Sequence, residues 1–122
     1  MKDLEQAHKE FFMKVARDFE LSGSVVKWNE TYKLIDNKSL KRNIVSSTLL
    51  FPKQSTRGHS HEGQEEVYIF VRGRGFMFID EHQFAVKQGD IVVIQDGEYH
   101  RVVNTTDEEL YFVTVFEGER DH

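Results

Sequence analysis

From residue 24 onward the apolar residues recur at every second position, in short runs broken by turn residues, and this pattern commits the chain to a sheet-built fold. Residues 25–28 and 31–36 read as short strands, Asp36-Asn37-Lys38-Ser39 as a turn, and 40–51 as a long strand ended by Pro52. Residues 66–72 alternate cleanly, with Glu66, Tyr68 and Phe70 on one face and Val67, Ile69 and Val71 on the other. Gly73-Arg74-Gly75 turns the chain into a strand over 76–80, Glu81-His82 into one over 84–87, and Gln88-Gly89-Asp90 precedes one over 91–95. His100, Val102 and Asn104 share a face of the next strand, and 109–116 is the last. So many short strands at regular spacing imply an all-β fold, an antiparallel sandwich or small barrel.

Before residue 24 the period differs. Leu4, Ala7, Phe11, Phe12, Val15 and Phe19 fall at spacings of three and four, which predicts one N-terminal amphipathic α-helix over 3–22. Asp3 and Gln6 resemble a capping box, and Ser22-Gly23 supplies the stop. The helix is expected to cover one face or end of a barrel spanning 25–117, and a chain of 122 residues suits a single domain, 1–122. Val67, Ile69, Val71, Val92, Ile94, Val103 and Val113 are expected on the face away from the interior. One helix cannot cover them all, which points to a homodimer.

A net charge of −5 without a basic run argues against nucleic acid or an anionic membrane as the main partner. No apolar run approaches the roughly 18 residues of a membrane span, and the first residues lack a signal-type apolar core, so a cytoplasmic location is the default expectation. The absence of cysteine removes disulfides and thiolate ligands from consideration.

The chemistry concentrates in Gly58-His59-Ser60-His61-Glu62-Gly63-Gln64-Glu65-Glu66-Val67-Tyr68. In an extended segment His59 and His61 project from the same face and can reach one cation. Glu66, at the foot of the next strand, offers oxygen, and His100 follows a second turn-rich stretch, Gln95-Asp96-Gly97-Glu98-Tyr99. Three imidazoles and one carboxylate suit one divalent transition-metal ion: manganese, iron, nickel, zinc or copper.

These residues resemble the cupin family. Gly58, His59, His61, Glu66 and Gly73 stand at the intervals of its first motif, and Gly89, Gly97, His100 and Asn104 at those of its second. The resemblance implies a small antiparallel barrel of the double-stranded β-helix, or jelly-roll, type. Gln95 stands where the second motif usually has proline, which implies a softer loop beside an intact site.

Within the cupins the sequence resembles the archaeal-type glucose-6-phosphate isomerases. The shared words are Thr56-Arg57-Gly58-His59-Ser60-His61, Glu66-Val67-Tyr68, Gly73-Arg74-Gly75 with Met77, His100-Arg101-Val102-Val103-Asn104, and Val115-Phe116 running into Asp121-His122. In that family such words carry the metal ligands, a threonine that helps hold a phosphate, and a tyrosine and a histidine near the sugar. Here Phe116 replaces the tyrosine, His122 resembles the histidine, and both the N-terminus and the loop between Phe51 and His59 are shorter.

The resemblance implies a sugar or sugar-phosphate isomerase, with a sugar phosphate as its small-molecule substrate. Glu66 would act either as the base or purely as a ligand beside a hydride shift. Thr48, Thr56 and Arg57 would hold the phosphate, and Tyr68 would line the pocket as a hydrogen-bond donor. A dioxygenase or other oxidoreductase using the same ion is a second reading, and a binding module for a small ligand is a third.

Overall fold

The alternation from residue 24 onward produces nine strands: β1 (Ser24–Trp28), β2 (Tyr32–Asn37), β3 (Asn43–Leu50), β4 (Glu66–Arg72), β5 (Arg74–Ile79), β6 (His82–Lys87), β7 (Ile91–Ile94), β8 (His100–Val103) and β9 (Leu110–Glu117). They come from a computed structural model that describes residues 3–4 and 14–118. Every pairing is antiparallel. Six strands form one sheet in the order β1-β2-β3-β9-β4-β7, and three form a second in the order β6-β5-β8.

Register puts whole rows of side chains on one face of the large sheet. Leu34, Thr48, Phe112 and Phe70 lie side by side across β2, β3, β9 and β4. The next row runs Asp36, Ser46, Thr114, Tyr68 and Val92, and the one beyond it Ile44, Phe116, Glu66 and Ile94. Against this face pack Met77, Val86 and Val102 of the small sheet, and with Leu50, Phe70, Leu110 and Phe112 they form one core between the sheets. Burying each such side chain stabilises the fold by about 1.5–3 kcal/mol.

Asn104 fixes the end of this core. Its amide nitrogen donates to the carbonyls of Leu50, Phe51 and Glu108 at 3.2, 3.2 and 2.7 Å, while its oxygen accepts from the Thr106 N–H and hydroxyl, both at 2.9 Å. The last residue of the second motif is therefore a structural clamp on the β8–β9 turn. Gly73 links β4 to β5 with φ of +85°, and a Cβ there would stand 2.5 Å from the Glu109 carbonyl oxygen, so only glycine fits.

Several expectations change. The helix expected over 3–22 has its middle, residues 5–13, outside the described residues, and its last third is not helical. Asp18 and Phe19 adopt left-handed φ values of 53° and 62°, and Arg17 bridges Glu20 across a tight turn. Tertiary contacts override the periodicity here. The Tyr111 hydroxyl donates to the Phe19 carbonyl at 3.0 Å and accepts from the Leu21 N–H at 3.3 Å, and Arg72 pairs with Glu20 at 2.8 Å. Phe19, expected inside, is 68% exposed.

The barrel is open. The loop between β3 and β4 reaches the edge of the small sheet only through isolated bridges, Ser55 to Val103 and His59 to His100, and no ladder among the described residues closes the two sheets on each other. On β7 the expected faces are exchanged. Glu66 pairs with Ile94 and Tyr68 with Val92, which turns both inward, while Ile91 and Val93 point out and are 65% and 66% exposed. Arg74 and Gly75, expected in a turn, already belong to β5, and the strand expected over 40–51 begins only at Asn43. Among the described residues no helix is long and apolar enough to cross a membrane.

Candidate metal centre

The loop between β3 and β4 is polar and forms no strand of its own, so its backbone must find partners elsewhere, and it finds them on β8. His59 and His100 exchange both backbone hydrogen bonds, at 3.2 and 3.0 Å, which sets their side chains next to each other. The rings meet edge to face with centroids 4.5 Å apart. Glu66 arrives from the neighbouring sheet, with its Oε1 3.1 Å from His100 Nε2. The ligand atoms of His59, Glu66 and His100 all lie within 4.8 Å of one another, so the three could hold a metal ion. His61 stands beside His59 with ring centroids 4.6 Å apart, on the same cavity, but is not one of the three.

The donor set fits a divalent cation in its details. His100 is 3% exposed, and its Nδ1 lies 3.0 Å from the Glu98 carbonyl oxygen, so Nδ1 carries the proton and Nε2 the lone pair. That Nε2 is buried without a hydrogen-bond partner, with Glu66 Oε1 3.1 Å away. His59 follows the same scheme, with Nδ1 3.3 Å from the Arg57 carbonyl oxygen. In His100 the second nitrogen faces Glu66.

Electrostatics separate the two imidazoles. Desolvation, then the neighbouring His100 and His61, holds His59 below its ordinary range, and the Arg57 carbonyl and Glu66 offset this only in part. Burial also works to lower His100, but the Glu66 carboxylate and the Glu98 carbonyl outweigh it and raise the ring.

Gln95 binds within its loop. Its N–H donates to the Glu98 carboxylate at 2.7 Å and its carbonyl accepts from the Glu98 N–H at 3.1 Å, a pairing that proline could not complete. The pinned Glu98 is the residue whose carbonyl orients His100.

The cluster opens on a cavity of about 390 Å³. Thr48, Thr56, Arg57, His59, His61, Glu66 and Tyr68 all line it, together with Phe116, which pairs with Glu66 across β9 and β4. His122 lies outside the described residues. Lys27 also lines the cavity, and strict strand alternation gave no reason to single it out.

The chain matches the cupin-domain family over residues 48–116. It belongs to the cupins. Among curated proteins this cupin is similar to an oxalate-binding protein of Thermotoga maritima, 31% identical over 75 residues, 62% of either chain. It is also similar to a glucose-6-phosphate isomerase of Pyrococcus abyssi, 27% identical over 90 residues, 63% of this chain and 48% of that one. The cupin thus spans less than two thirds of these relatives' length. Among solved structures it resembles a predicted oxalate decarboxylase of Thermotoga maritima, with a TM-score of 0.71, 24% identity, and coverage of 84% of this chain and 97% of that one. The cupin fold and its lined cavity suit a small-molecule ligand.

Proposed function

We propose that this cupin is a metal-dependent isomerase of a sugar phosphate, interconverting an aldose and a ketose. The supporting observation is that the His59, Glu66 and His100 cluster opens on a cavity shared with Arg57, Thr48 and Thr56, donors suited to a phosphate. In this proposal His59, His61, Glu66 and His100 hold one manganese, iron, nickel or zinc ion, with His61 turning in from its place beside His59. Bound there, the ion supplies Lewis-acid stabilisation of negative charge on a substrate oxygen. Glu66 moves a proton between adjacent carbons, Tyr68 orients the sugar, and Phe112 and Phe116 limit water at the cavity wall. His122 is proposed to reach the sugar as well. The similarity to glucose-6-phosphate isomerases of Pyrococcus agrees with the substrate class.

The test is a coupled assay with fructose 6-phosphate on the protein loaded with each of the four ions. Turnover with at least one is expected, and none with any would overturn the reading. A second reading, a binding module for small carboxylates, is favoured by the 31% identity to the oxalate-binding protein. Calorimetric binding of oxalate without turnover of the sugar phosphate would select it.

The outward side of the large sheet carries the apolar rows Val113, Ile69 and Ile91, and Val45, Val115, Val67 and Val93. We propose that a second copy covers them, because a flat apolar face is complementary to itself under two-fold symmetry. Light scattering over a dilution series should give twice the chain mass, and a strictly monomeric mass at high concentration would refute it.

A further inference from the structure

β1 is an edge strand, and its ladder with β2 slips by one residue. Ser24 pairs with Asp36 and Val25 with Ile35, but the next pair is Lys27 with Leu34, leaving Val26 as the extra residue of a β-bulge. Without the bulge Val26 would face Leu34, and Lys27 would stand opposite Lys33 on the outer side. With it, Lys27 joins the inward row of Leu34 and Thr48, while Trp28 turns outward and meets the Lys33 ammonium 4.3 Å from its ring centroid. Bulges concentrate beside functional sites because they re-aim a side chain in this way.

Lys27 lines the cavity, as does Arg57 of the loop between β3 and β4. Neither has an ion pair among the described residues, whereas Glu66, the acid on the cavity wall, is in contact with His100. Thr48 lies two strands from Lys27, roughly 10 Å at ordinary strand spacing, a gap within reach of a flexible four-carbon lysine stem paired in register with Leu34. In a chain of net charge −5, two cations on one cavity that have no ion pair among the described residues amount to a local anion receptor.

We propose that Lys27, aimed by the β1 bulge, is the residue that selects substrates with an anionic terminus, holding that terminus together with Arg57 and Thr48. This inference deepens the isomerase reading by naming what recognises the charged end of the substrate, but it stands on binding alone.

The test is calorimetry on the metal-loaded full chain with fructose 6-phosphate, glucuronate and neutral fructose, for wild type, Lys27→Met, Lys27→Arg and Lys33→Met. Lys27→Met should weaken the anions that wild type binds by about tenfold and leave fructose unchanged. Lys27→Arg should stay within about threefold of wild type, and Lys33→Met, which removes the same charge from the outer face, should change nothing. If phosphate alone responds, the terminus is a phosphate; if glucuronate alone responds, it is a carboxylate. Unchanged anion affinity in Lys27→Met, equal loss in Lys33→Met, or a wild type that binds neither anion would overturn the proposal. Lys27-dependent binding without turnover retires the isomerase and keeps Lys27. Turnover of fructose 6-phosphate with an unchanged KM in Lys27→Met retires Lys27 alone.

Discussion

Replacing His100 by alanine is expected to abolish stoichiometric metal binding, with content falling from one ion per chain toward none after dialysis. His100 is the buried member of the cluster, and its Nε2 has no hydrogen-bond partner, so the protein carries an unsatisfied nitrogen that a cation would satisfy. Its tautomer is already set by the Glu98 carbonyl, so little reorganisation is needed on binding. Removing an outer partner of such a ligand costs about 10–100-fold in affinity, and removing the ligand itself should cost more than about 100-fold. Thermal melts supply the second readout. A metal at 100 times its Kd raises stability by about 2.7 kcal/mol in wild type, and His100→Ala should lose most of that shift. Without metal the variant need not be less stable, because it also removes an imidazole crowded against Glu66 and His59. If His100→Ala keeps one ion at wild-type affinity, the ligand set is wrong. His61→Ala in the same series shows whether His61 joins the cluster once an ion is present.

Much of the site was legible because its parts depend on spacing within single elements. His59, Glu66 and His100 come together while His61 stands beside His59 outside the cluster, and Glu66, Tyr68 and Phe70 share a face in the structure as the sequence implies. The same logic failed wherever a longer-range choice decided the outcome. The faces of β7 depend on the register of Glu66 with Ile94, which a four-residue strand apolar at every position does not encode. Residues 15–22 continue a helical pattern, yet Tyr111 and Arg72, some ninety and fifty positions away, hold the chain in a turn. Lys27 was missed because a bulge reverses parity, and neither Val25 nor Val26 is a glycine that would announce one. Gln95, a departure from the family pattern, has its N–H bound to Glu98, a contact that only the folded loop reveals.

Replacing Glu66 by glutamine should lower turnover of fructose 6-phosphate by about 10²–10⁴ while the chain stays folded. The amide keeps the shape of the side chain, which is only 10% exposed and packed beside His100, so the core rows around Phe116 and Ile94 should persist. What it loses is the ability to take a proton. Part of any loss would come from weaker metal binding, because a neutral amide is a poorer ligand than a carboxylate, and assays at saturating metal separate the two effects. If activity returns fully with excess metal, Glu66 is a ligand alone and the hydrogen moves between the carbons by a hydride shift. Isotope labelling decides the same question in wild type. A proton lifted by Glu66 exchanges with solvent before it returns, so turnover in heavy water should place deuterium at carbon 2 of the glucose product. A hydride shift would leave that position unlabelled. Deuterium incorporation together with a saturation-resistant defect in Glu66→Gln is the expected pair of results, and it would place the proton transfer on the carboxylate that β4 presents to the cavity.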